Sequence, residues 1–193
     1  MQKFIERQAG GTYFYSSTVA GKKNLFVSQV YLDLMIKNIK EVAKEMNVKN
    51  LGYLIMPNHF YWLFKLPKEQ DNPVKVYGEL KKRVSFQILD QLRAEAKVDE
   101  KQPMVKLFDT NERVSRSHAR RIIWFFKEEA KKLENGKKMK MWETDSKLNL
   151  VKDEESLGRA IEVLKSGPIK DRWQLVEKSE DYPYLFLSPK PCV

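Results

Sequence analysis

Met56-Pro57-Asn58-His59-Phe60-Tyr61-Trp62-Leu63 is the stretch of this chain whose residue types and spacing could do chemistry. Val48 to Met56 is a β-rich apolar run, Pro57-Asn58 is turn punctuation, and His59 to Leu66 is a second extended run, so the segment reads as a hairpin. Side chains alternate along a strand. Phe60, Trp62, Phe64 and Leu66 therefore share a core face, while His59, Tyr61, Leu63 and Lys65 share the opposite one. His59 and Tyr61 then stand side by side, about 7 Å apart along the strand. Two imidazoles at that spacing grip one cation; an imidazole with a neutral phenol is a much poorer pair for a hard divalent ion. The bland alternative is a polar histidine beside an ordinary strand tyrosine. Asn58 is expected to shape the turn through its own side-chain hydrogen bonds. His118, the only other histidine, opens a basic helix with no acidic or histidine neighbour at ligand spacing, and reads as a cap-region or phosphate-facing residue.

The elements that must position this pair follow from periodicity. Thr12 to Val19 is aromatic and β-branched, a first strand closed by Gly21. From Ser28, a plausible N-cap, to Met46 the apolar residues Val30, Leu34, Met35, Ile39, Val42, Ala43 and Met46 recur at helical steps. After the hairpin, Val74 to Lys97 reads as a long basic helix with Val76, Leu80, Val84, Ile88 and Leu92 on one stripe and Lys81, Lys82 and Arg83 largely off it. Strand, helix, hairpin, helix opens a ferredoxin-like α+β sandwich, an antiparallel sheet with helices packed on one face, here with additional basic helices.

Val98 to Thr110 is a charged connection without periodicity, and Ser115 to Leu133 is an amphipathic helix with Ala119, Ile122, Ile123, Phe126, Ala130 and Leu133 turned to the core. Met139 to Lys152 reads as a late strand carrying Trp142. Asp153 caps a last helix through Leu157, Ala160, Ile161 and Leu164 that stops at Gly167-Pro168. With 193 residues, 42% of them hydrophobic, one good core can be buried. A single domain over 1–193 is expected, with a helical insertion over roughly 98–138.

The net charge of +10 and a pI near 9.5 favour a polyanionic partner, nucleic acid before membrane. Arg113 to Lys140 holds ten Lys or Arg against three Glu, so most of the excess lies there. Arg116, Arg120, Arg121, Lys127 and Lys131, with Lys81, Lys82 and Arg83, are the candidate phosphate contacts; a solvated helix face is the alternative reading. The one cysteine, Cys192, has no internal partner, the opening residues lack a signal-peptide stretch, and Ile122 to Phe126 is far too short to span a bilayer, so a cytoplasmic protein is expected.

The Met56 to Leu63 string resembles the Met-Pro-Asn-His-x-His-x-Leu signature of the HUH-type single-tyrosine transposases, in particular the REP-associated tyrosine transposases and their insertion-sequence relatives. Thr12 to Thr18 followed by Asn24-Leu25-Phe26, then Glu79 to Ser85, Met139 to Glu143, Gly167 to Lys170 and Ser179 to Tyr184 fall in that family's order, so the resemblance spans nearly the whole chain. It implies the same antiparallel α+β fold. It also implies a chemistry: a helix tyrosine attacks a DNA phosphodiester, leaving a 5′-phosphotyrosine and a free 3′ hydroxyl, while Mg²⁺ or Mn²⁺ held by two histidines polarises the phosphate.

This chain departs from that pattern twice. Tyr61 stands where the second histidine belongs. Counting back from Pro168, the nucleophile position falls on Val163, which has no attacking atom, and no tyrosine occurs between Asp153 and Arg172. The expectation is therefore transposase ancestry without strand cleavage: a protein that recognises single-stranded or hairpin DNA through its basic helices and the surface around His59. Tyr15, Tyr53 and Tyr61 are candidate stacking platforms, with strand packing preferred for Tyr53. An active enzyme using Tyr61 as an unconventional nucleophile, with a divalent metal on His59, is the alternative; a third is an RNA-binding sheet, although the Lys/Arg-Gly-Phe type of motif is missing. A homodimer is left open.

Overall fold

The computed structural model describes residues 6–97, 110–133, 136, 138–170, 173–189 and 191, and of 110–117 only the backbone; Cys192, the 98–109 connection and the side chain of Arg116 lie outside the described residues. Strand β1 (Thr12–Thr18) pairs antiparallel with β3 (His59–Lys65), which pairs with β2 (Lys49–Met56) across the Pro57-Asn58 turn. Helix α1 (Gln29–Glu45) connects β1 to β2, and α2 (Pro73–Lys97) follows β3. After α3 (Thr110–Lys131) come β4 (Lys147–Val151), α4 (Glu154–Ser166) and β5 (Leu185–Leu187). The sheet order is β4-β1-β3-β2-β5, all pairs antiparallel. This is the expected α+β architecture.

The chain divides into two compact units, 1–82 with 142–193, and 83–141. In the first, register explains the core. Tyr15 and Tyr53 oppose Trp62, Tyr13 opposes Phe64 and Ile55 opposes Phe60, so all seven share the face predicted to be buried, and all are. Tyr77 of α2 stacks on Tyr15 at 4.3 Å, and Trp142 meets Phe60 edge-on at 5.5 Å. Each buried ring of this kind contributes roughly 1.5–3 kcal/mol over exposure. Tyr15 and Tyr53, at 0% and 6% exposure, are thereby removed as stacking platforms for bases.

The opposite face is covered too. Leu51, Leu54, Met56 and Leu63 pack with Leu157, Ala160 and Leu164 of α4 and with Tyr182, so helices flank the sheet on both faces. The continuous apolar run of β2 is the sequence counterpart of that double burial. Two glycines permit the approach: a Cβ on Gly167 would lie 2.5 Å from Leu54 Cδ2, and one on Gly52 would lie 2.9 Å from Leu187 Cδ2. The Tyr182 hydroxyl donates to the Ile55 carbonyl at 2.9 Å and fixes the returning chain that leads into β5.

The late strand is shorter than its sequence suggests. Trp142 makes only an isolated bridge to Val19, because its indole turns into the core beside Phe26 and Phe60 while the Glu143 carboxylate accepts from the Gly21 amide at 2.6 Å. Pairing with β1 begins at Lys147. Strand β5 is too short to show a period.

In the second unit, Val84, Ile88 and Leu92 of α2 are buried, as are Ala119, Ile122, Phe126 and Ala130 of α3. The Arg120 guanidinium donates to the Ala96 carbonyl at 3.2 Å. Glu129, 6% exposed, lies between Lys132 and Lys140, the latter at 3.8 Å. His118 lies within α3 rather than at its start.

Candidate functional site

The site begins at the hairpin turn. Asn58, 4% exposed, donates through Nδ2 to the Lys22 carbonyl at 3.1 Å, the Val19 amide donates to the Asn58 carbonyl at 2.8 Å, and the Phe26 amide donates to the Pro57 carbonyl at 2.8 Å. The Pro57-Asn58 turn is thus clamped by the loop after β1, where Gly21 and Lys22 both hold left-handed φ, 58° and 53°. Asn58 Oδ1 lies 2.7 Å from His59 Nδ1. With the amide nitrogen committed to Lys22, the oxygen accepts; this bond pattern assigns a proton to Nδ1. Asn58 therefore ties the turn to the adjoining loop and orients the imidazole, beyond its expected local role.

Tyr61 sits between Ser16 of β1 and Leu54 of β2, as His59 does between Thr18 and Met56. The two rings of the pair meet edge-on, centroids 5.2 Å apart at 88°. Phe14 stacks on Tyr61 at 5.6 Å and 4°. Burial pushes the Tyr61 phenol above its ordinary value of 10.0, because the anion loses solvation there. At neutral pH the phenol is protonated.

Helix α4 supplies the opposing wall. Its start is fixed by a reciprocal cap in which the Ser156 amide donates to Asp153 Oδ1 at 2.7 Å and the Asp153 amide donates to Ser156 Oγ at 3.1 Å. Its packing on β2 brings Val163, Ser166 and Gly167 to a cleft of about 480 Å³ that Met56, His59 and Tyr61 also line. Beyond the helix, Lys170 and Trp173 complete it. Trp173 lies 6.1 Å from the His59 ring, tilted by 49°. Lys170 Nζ reaches Glu162 Oε1 at 3.3 Å in a well-exposed pair, a class of contact worth about 0–1 kcal/mol.

The fold therefore gathers the three residues singled out in the sequence, His59, Tyr61 and Val163, into one cleft although α4 lies far from the hairpin along the chain. It adds Ser166, Lys170 and Trp173, which sequence reasoning did not single out. The one available signal was Trp173, an aromatic in an otherwise polar stretch after a helix stop. Among the described residues, the lining holds an imidazole, a protonated phenol, a hydroxyl and an ammonium, with no carboxylate. Among the described residues, no group of three His, Cys, Asp or Glu side chains gathers as a metal site.

The eight candidate phosphate contacts fare differently. Lys81 Nζ donates to Ser146 Oγ at 3.0 Å and stands 5.7 Å above the Trp142 ring. Arg120 is engaged with Ala96, and Lys131 pairs with Glu128 at 2.7 Å. Arg83 is half-buried, Lys82 is exposed with Glu79 at 3.8 Å, and Arg121 and Lys127 are exposed on α3. No helix of the described residues is long and apolar enough to cross a membrane.

No family model matches this chain, and no curated protein matches it by sequence. Solved structures do match in shape. A REP-associated tyrosine transposase bound to a REP hairpin aligns with a TM-score of 0.60 at 14% identity, over 96% of this chain and 82% of that one. A protein described as a transposase, from Deinococcus radiodurans R1, aligns at 0.46 and 9% identity over 85% of this chain and 93% of its own. At 14% identity the first likeness is one of fold, and it covers nearly every described element.

Proposed function

We propose that this chain is a transposase-like protein that binds single-stranded or hairpin DNA and does not cut it. The observation that carries the reading is Val163 in the wall of the cleft that also holds His59 and Tyr61. The position that the family resemblance assigns to the nucleophile is Val163, a hydrocarbon side chain in that cleft. The hairpin ligand is suggested by the neighbour of like fold, which is bound to one. The charge of +10 supports a phosphate-rich partner, with Lys82, Arg121 and Lys127 as the exposed contacts.

Mg²⁺ and Mn²⁺ do not suit the donor set. Hard divalent ions want several anionic or carbonyl oxygens, whereas the described residues of this lining offer one imidazole, a phenol kept neutral by burial, one hydroxyl and the positive charge of Lys170. The same two facts weigh against Tyr61 as a displaced nucleophile: its oxygen is protonated, and Phe14 is stacked on its ring. Incubating the protein with a labelled hairpin and Mn²⁺, followed by denaturing electrophoresis, tests the reading. The expected result is salt-sensitive binding with no covalent product; a protein-linked strand that disappears in Tyr61→Phe overturns it in favour of the enzyme. An RNA hairpin of the same sequence competing better than DNA overturns the DNA assignment.

A further inference from the structure

The cleft is of a size that holds small ligands, for which pockets measure about 300–1,000 Å³, and its described residues include no carboxylate. Its walls are aromatic or apolar, namely His59, Tyr61 and Trp173 with Met56 and Val163, while Ser166 and Lys170 supply a hydroxyl and a cation. Flat apolar walls, one hydrogen-bonding hydroxyl and one positive charge form a complement to a nucleotide: a ring to stack, an edge to read and a phosphate to pair. The Trp173 and His59 rings are tilted by 49° instead of being stacked on each other, and both belong to the lining. Lys170 has Glu162 as its partner, an exposed carboxylate that a phosphate can displace. Valine at position 163 leaves volume that an aromatic side chain there would take up.

We propose that this cleft takes one unpaired nucleobase of the bound strand, stacked on the Trp173 indole, with that nucleotide's phosphate on the Lys170 ammonium. The proposal rests on the DNA-binding reading above. It makes the former reaction centre a base pocket that reads the single-stranded foot of a hairpin.

The test places an abasic residue at successive positions along the single-stranded foot of a DNA hairpin and measures affinity by fluorescence anisotropy. The wild-type protein is expected to lose roughly ten- to hundred-fold at one position and little at its neighbours, and 2-aminopurine at that position is expected to be quenched on binding. Val163→Phe, which fills a part-exposed site, and Trp173→Ala should bind the intact foot as weakly as wild type binds the abasic one, with no further loss when the two are combined; Trp173→Phe should retain the effect. Equal losses at all positions, or a position effect that survives Val163→Phe, overturn the pocket. Free deoxyadenosine monophosphate restoring the 2-aminopurine signal at the strand's own working concentration would assign the cleft to a free nucleotide and overturn its assignment to the strand. Absence of hairpin binding by the wild type removes the DNA reading itself, whereas tight binding indifferent to every abasic site removes the pocket alone.

Discussion

Val163 on α4 lines the same cleft as Tyr61 on β3. On the proposed reading, the absent nucleophile and the absent second histidine are two departures at one site, and restoring both should restore chemistry. The double variant Tyr61→His, Val163→Tyr is expected to form a protein-linked hairpin product with Mn²⁺, which neither single variant forms. Calorimetry should show Tyr61→His alone gaining Mn²⁺ affinity by more than roughly tenfold, since a second imidazole joins His59 on the same strand face.

Hairpin affinity should fall steeply with salt, and the slope counts phosphates. Lys127, exposed on α3, is expected to account for one of them. Lys127→Ala should flatten the log–log salt slope by about 0.7–0.9, with the melting temperature unchanged. An unaltered slope would remove this residue from the interface.

Two glycines of the α4 region should respond with opposite signs. At Gly167 the added methyl meets Leu54 Cδ2 at 2.5 Å, so Gly167→Ala overpacks the contact between α4 and β2, at a cost of about 1–3 kcal/mol. A fall of roughly 2–12 °C in melting temperature follows. Gly158, inside the helix, has nothing within 4 Å of the same methyl. Gly158→Ala should therefore stabilise by about 0.5–1 kcal/mol through helix propensity. Thermal denaturation of the two variants measures both.

The α4 cap makes stability depend on acid. The Ser156 amide, donating to Asp153, holds that carboxyl below its ordinary 3.8. A depressed carboxylate contributes stability that is present above the unfolded value and lost as pH falls through the folded one. The stability difference between wild type and Asp153→Asn should therefore be constant from neutrality to about pH 5 and shrink below 3.8. Urea denaturation across that range reads it directly.

Alkali should act through buried phenols. Burial pushes Tyr15 to about 12, and burial with the neighbouring Tyr184 does the same for Tyr182. A raised phenol stabilises the fold fully below the unfolded value near 10 and loses that contribution as pH rises towards 12. Tyr15→Phe should weaken the alkaline fall in stability, and tyrosinate absorbance should show a late-titrating fraction that moves only as the protein unfolds.

Much of the frame was legible in the linear chain because it rests on local periodicity. The alternation from His59 to Lys65 assigned Phe60, Trp62 and Phe64 to the core, the helical steps marked α1, α2, α3 and α4 to within a few residues except at the start of α3, and Asp153 announced its cap. Even Val163 was located by counting back from Pro168. Residue types alone decided that Val163 carries no attacking oxygen and that Tyr61 is a phenol where the resemblance implies an imidazole. The tertiary structure decided everything that depends on distant segments meeting. Tyr15 and Tyr53 are aromatics of suitable type for stacking on bases, but Tyr77 and Phe186 stack on them. Lys81 belongs to a basic run, yet its ammonium turns to Ser146 and Trp142. Lys170 and Trp173 line the cleft just beyond Gly167, where α4 closes on Leu54 of β2. Periodicity fixes which face of an element is apolar; which elements share that face is set by packing between segments remote in sequence, and those contacts place His59, Tyr61 and Val163 around one cavity.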